Sequence, residues 1–245
     1  MQGVIITLDP GEAVFAEAGG MMYMEDGIEV ATTLDPNSNK GGIFEKLVGA
    51  GKRVLAGESF FITLFGNGAP YRRDVAFAAP TPGKIFVADL SQWGHEIIAQ
   101  KDAFLCAARG IEMDIAFTKR IGAGFFGGEG FILQRLKGDG LAFLAASGTL
   151  IERELKAGEI LRVDTGCLVA MSNTVDYDIE MVKGIKTMFF GGEGLFYVKL
   201  TGPGRVILQT LPFSRLAERV IAHAPRMKQQ GSARGIIGGI LGDHG

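Results

Sequence analysis

The chain has 245 residues, of which 47% are hydrophobic and 21% charged, and it carries a formal net charge of −2 at neutral pH. That is long enough for a large buried core in one domain or two. It is too apolar for a disordered chain and lacks the basic field that gathers nucleic acid. No run of about 18 apolar residues reads as a membrane-spanning helix. The opening MQGVIITLDPGE lacks the basic and apolar segments of a secretory signal, so a cytoplasmic protein is expected. Glycine contributes 37 residues, about twice the usual share of roughly 7%, and there are only eight prolines. Many tight turns between short strands are expected.

Residues 1–80 form the first expected unit. LDPGEAVFAEAGGMMYMEDGIEV begins at Leu8 with a Gly11-Glu12 turn, and GESFFITLFGNGAP follows with Gly57, Glu58, Gly66 and Gly68. Between them lies an insertion, residues 38–56. Its Ile43, Leu47 and Val48 fit one helical face, and its Lys52 and Arg53 are candidate surface contacts. Residues 81–150 form the second unit: SQWGHEIIAQKDAFLCAARGIEMDI from Ser91, with Glu96 at its turn, then FFGGEG from Phe125. The turn pair Gly128 and Glu129 there is followed nine and eleven residues after the glutamate by Gly138 and Gly140. Residues 151–212 form the third: LKAGEILRVDTGCLVAMSNTVDYDI with Gly158 and Glu159, then FFGGEG again from Phe189, with Gly192, Glu193, Gly202 and Gly204 in the same order. In the first unit the GxG pair stands one residue nearer its glutamate. FGNG, KGDG and TGPG read as hairpin turns. Residues 213–245 escape the pattern. A helix is expected with Ser214 as N-cap and a stop at Pro225, carrying Arg215 and Arg219 as further candidate surface contacts, before a glycine-rich tail.

Inside the units, apolar residues occupy both parities of runs such as Phe131 to Leu136 and Arg205 to Leu211, with polar residues interrupting near the ends, which suits strands covered on both faces. The expected fold is therefore all-β, in tandem sandwich units with internal pseudo-threefold duplication, plus a short C-terminal helix and tail. A lone acid recurring at one place in every unit argues for a turn device, its carboxylate accepting turn N–H groups, and against a catalytic centre.

GESFF, FFGGEG with a downstream GPG, and the repeated glycine-glutamate units resemble a TRAP-like (tryptophan RNA-binding attenuator-like) β family. It includes the altered-inheritance-of-mitochondria proteins of mitochondrial biogenesis and bacterial relatives. The resemblance runs from residue 1 to about 213. It implies TRAP-like β-sandwich units assembling as a ring-like homotrimer, and it brings no catalytic residues with it.

Other chemistry finds little to stand on. Gly122 to Gly127 matches GxGxxG, but a strand follows where a dinucleotide site needs a helix. His95, His223 and His244 lack metal spacing, Cys106 and Cys167 sit in apolar runs as free thiols, and Asp114, Asp176 and Asp178 fall at strand ends. No cofactor, metal or catalytic residue is expected. The reading is a non-enzymatic homo-oligomeric scaffold or binding module with itself as partner, and with contact to a membrane surface or another protein left open. Two alternatives stand beside it: an enzyme with carboxylates at subunit junctions, and a single-stranded RNA-binding ring, which would need cations beside exposed aromatics.

Overall fold

The computed structural model describes residues 1–17, 19–33, 62–119, 130–181 and 196–223. The protein is all-β with one short C-terminal helix. The first six strands are β1 (Gly3–Leu8), β2 (Ala13–Glu17), β3 (Met21–Met24), β4 (Ile28–Thr33), β5 (Ile62–Asn67) and β6 (Arg73–Ala78). Then come β7 (Gly83–Asp89), β8 (Glu96–Gln100), β9 (Phe104–Ala108), β10 (Glu112–Lys119), β11 (Phe131–Lys137) and β12 (Leu141–Ser147). The last six are β13 (Leu150–Leu155), β14 (Ile160–Asp164), β15 (Leu168–Ser172), β16 (Asp176–Met181), β17 (Phe196–Thr201) and β18 (Gly204–Gln209), followed by helix α1 (Phe213–His223).

One pairing scheme recurs in each set of six. Strand six pairs with strands one and three, and strand five with strands two and four, always antiparallel. Each set is thus a sandwich of two three-stranded sheets. Strand three carries a bulge against strand six every time, at Met22, Leu105 and Val169. A bulge recurring at one place in three copies belongs to the design of the unit.

Successive sandwiches share sheets. Strand two of the first set pairs with strand three of the second (β2 with β9), and β8 pairs likewise with β15. The result is four sheets of three, six, six and three strands. Three cores lie between them. Val14, Phe65 and Phe77 fill the first, Phe15, Leu64, Ile97 and Leu144 the second, and Ile98, Leu133, Met171 and Val198 the third. Val14 and Phe15 are chain neighbours pointing into different cores, as are Ile97 and Ile98. That is why apolar residues occupy both parities: the shared sheets are covered on both faces. Phe15 stacks on Phe104 across the first junction, ring centroids 5.5 Å apart.

Two expectations change. The FGNG, KGDG and TGPG turns do not close hairpins, because β5 and β6, β11 and β12, and β17 and β18 lie in different sheets. Each turn carries the chain across the sandwich. The helix begins at Phe213 rather than after Ser214, its first bond running from Leu216 N–H to Pro212 O at 3.3 Å. The expected stop at Pro225 and the tail lie outside the described residues.

Candidate functional site

The glycine-glutamate turns and the GxG turns meet in one joint. In the first unit Gly11 has φ +81°, a left-handed conformation costly for other residues. Its N–H bonds Asn67 O at 2.9 Å, and Asn67 N–H returns to Glu12 O at 2.9 Å. The Glu12 carboxylate accepts from Asp9 N–H at 2.8 Å, and Glu12 N–H donates to Asp9 O at 3.0 Å. The third unit repeats all four bonds. Gly158 (φ +75°) donates to Gly202 O at 3.1 Å, and Gly202 N–H to Glu159 O at 2.9 Å. Lys156 N–H donates to the Glu159 carboxylate at 2.9 Å, and Glu159 N–H to Lys156 O at 2.9 Å.

Two alignments shift. Asn67 occupies the place of Gly138 and Gly202, so the first unit has no missing residue; Gly66 pairs with Ala13 inside the sheet, and Gly68 lies just past Asn67. Asn67 is buried, and its side chain binds Leu8 O, Tyr71 O and Ala69 N–H. In the second unit His95, not Glu96, stands at the turn: Gly138 N–H donates to His95 O at 3.0 Å, and His95 Nδ1 lies 2.6 Å from Asp139 Oδ1. Glu96 sits one residue on, in β8, 3.0 Å from Arg135 Nε. Gly140 and Gly204 lie past their turns with positive φ. A Cβ on Gly204 would come within 2.6 Å of the Thr174 hydroxyl.

Gly57, Glu58, Gly128, Glu129, Gly192, Glu193, Lys52 and Arg53 lie outside the described residues, all between strands four and five of their units. Asp114 is in β10, opposite Arg135, while Asp178 is in β16, opposite Lys199. They belong to different sheets. Among the described residues no three His, Cys, Asp or Glu side chains gather as a metal site. Burial pushes the Cys106 thiol up to about 12 and raises that of the half-buried Cys167. Both are free cysteines.

What the sequence did not reveal is an asymmetry at the ends of the stack. Among the described residues, strands one and four are sheet edges in every unit. Strands two and three are joined at both junctions within the chain, but β14 and β3 remain edges. The residues of β3, Met21, Met22, Tyr23 and Met24, are 40–56% exposed, while their counterparts Phe104, Leu105, Cys106 and Ala107 in β9 are at most 5% exposed. On the other free edge, Ile160 is half exposed where its counterpart Ala13 is buried. Arg215 of α1 lies beside that edge, its Nη2 bonding Asp164 Oδ2 of β14 at 3.0 Å. Arg219 is exposed on the same helix, its carbonyl 2.8 Å from His223 Nδ1. No helix among the described residues is long and apolar enough to cross a membrane.

The fold is similar to that in a crystal structure of a Streptococcus pyogenes protein, with a TM-score of 0.70 and 26% identity, covering 91% of this chain and 94% of that one. An uncharacterised protein of Streptococcus pyogenes serotype M6 is 28% identical over 224 residues, 91% of this chain and 86% of its own length. The family model described as mitochondrial biogenesis AIM24 matches residues 1–211, the whole of the strand-built region. The chain belongs to the AIM24 family.

Proposed function

We propose that the protein is a non-enzymatic cytoplasmic scaffold that works as a homo-oligomer, with β14 of one copy pairing with β3 of the next to close a TRAP-like ring of three chains. One observation carries this reading. All four strand-three positions buried at both junctions inside the chain are exposed in β3, and on β14 the place of the buried Phe15 and Ile98 is taken by the exposed Arg162; those ends are the two halves of the same junction. An unpaired, apolar strand edge is a template for another strand. Because the two ends differ, the contact is heterologous, and such contacts close into rings when the rotation per copy allows it.

The internal repeat also supplies the register. Val14, Phe15 and Ala16 face Ala108, Ala107 and Cys106, while Ile97, Ile98 and Ala99 face Ser172, Met171 and Ala170. Carried onto the free ends, Leu161, Arg162 and Val163 of one copy face Glu25, Met24 and Tyr23 of the next. The number of copies, three, follows the resemblance to TRAP-like rings. Two unbridged cysteines suit a reducing compartment.

Sedimentation velocity at micromolar protein and moderate salt tests the reading. The expected species has three times the mass of the 26.1 kDa chain. A monomer across that range overturns it.

A further inference from the structure

Helix α1 presents an apolar stripe to solvent. Phe213, Ala217, Val220 and Ile221 recur at the spacing that lines one helical face. Phe213, Val220 and Ile221 are 65%, 62% and 73% exposed, while Leu216 and Ala217 are half-buried. The helix is not free to swing. Arg215 ties it to Asp164 at the end of β14, and Pro212, just before it, lies against Gly166 in the turn between β14 and β15.

That turn is where a second copy would land. Within the chain, the turn after β2 sits under the bulge of β9: a Cβ on Gly20 would lie 2.9 Å from Leu105 Cδ1. Gly20 precedes β3 as Cys167 precedes β15, and Leu105 is the bulge residue whose counterpart in β3 is Met22. The same contact between copies therefore sets Met22 of the next copy against Cys167. Cys167 lies within electrostatic reach of both Asp164 and Arg215. So α1 stands beside the place where the next copy's methionine-rich strand arrives. Among the described residues, the polypeptide runs on into strand one of the next unit after β6 and β12, and only after β18 does a helix take that place.

We propose that α1 is a clasp whose apolar stripe docks on the first unit of the neighbouring copy, over Met21 and Met22. This rests on the head-to-tail reading above. Flexible, polarizable methionines suit such a face because they adapt to an incoming surface.

The test is the double variant Val220→Asp, Ile221→Asp in the full chain, with both side chains already exposed, so that the fold is spared. Sedimentation equilibrium and flotation with vesicles containing one-third anionic lipid are run on both proteins. The expected result is a dissociation constant raised at least about tenfold per seam, with the monomer's melting temperature unchanged and no flotation of either protein. An unchanged dissociation constant overturns the clasp while leaving the ring standing. Flotation of the wild type that the variant loses, with assembly unaltered, overturns it in favour of a lipid surface. A wild-type protein that never assembles removes the head-to-tail reading and the clasp with it.

Discussion

Met22 offers the sharpest perturbation. It is 56% exposed in the single chain, whereas Leu105, its counterpart inside the first junction, is 1% exposed. Met22→Asp therefore places a carboxylate on the surface of the lone chain, where a substitution costs at most about 1 kcal/mol even with a poor strand former. In the assembled seam the same carboxylate is buried against the Cys167 turn, where the neighbouring cation, Arg215, is already paired with Asp164. An unpaired buried charge costs about 3–5 kcal/mol, and the lost methionine burial adds about 1 kcal/mol. At about 1.4 kcal/mol per factor of ten, the dissociation constant of each seam should rise by roughly 700-fold to 20,000-fold. Sedimentation velocity should find the variant as a monomer at concentrations where the wild type is assembled, with a native far-UV spectrum and a melting temperature equal to that of diluted wild type. A variant that assembles with wild-type affinity refutes the reasoning, because Met22 would then not lie in the seam.

Three further outcomes concern the chain itself. Phe15→Ala empties a fully buried site stacked on Phe104 and should cost about 3–5 kcal/mol in urea unfolding; a loss below about 1 kcal/mol would show that the first junction is not tightly packed. Glu12→Ala and Glu159→Ala each remove a carboxylate bond to a turn N–H, so each should cost about 1 kcal/mol and the pair should add; widely unequal effects in denaturant titration would contradict the identity of the two turns. Cys106 should make stability fall at high pH. Its thiol is raised from 9.0 to about 12 by burial, so the native state keeps a proton that the unfolded chain releases. The contribution is full below pH 9 and is lost as pH rises towards 12, by about 4 kcal/mol in all. Cys106→Ala should flatten that alkaline loss in unfolding curves taken between pH 8 and pH 11; an identical slope would rule out Cys106 as its source.

Much of the fold could be read from the residues, since the repeat and its turns are written in glycine and glutamate, whose positions answer to local backbone geometry. Apolar residues on both parities correctly announced strands covered on two faces. The frame of the GxG pairs misled because Asn67, fully satisfied by its own side-chain bonds, does in the first unit what glycine does in the others. His95 hid the second turn in the same way. The crossings taken for hairpins could not be distinguished locally: a tight glycine turn suits a chain changing sheets as well as one reversing within a sheet. The candidate site was invisible for a further reason. Met21 to Met24 are apolar like the strand-three residues of the other units, and their exposure follows from β3 having no strand two paired against it among the described residues. Position in the series sets burial there, and no residue type encodes that.

A single substitution, Met22→Cys, sets a new thiol against the native Cys167 across the seam. Under mild oxidation with diamide, covalent dimers and trimers and nothing larger are expected on a non-reducing gel, with no ladder from the wild type, whose cysteines are Cys106 and Cys167. Only single chains, from a protein that sedimentation shows to be assembled, would place the contact elsewhere; a ladder continuing past three would mean an open filament in place of a ring.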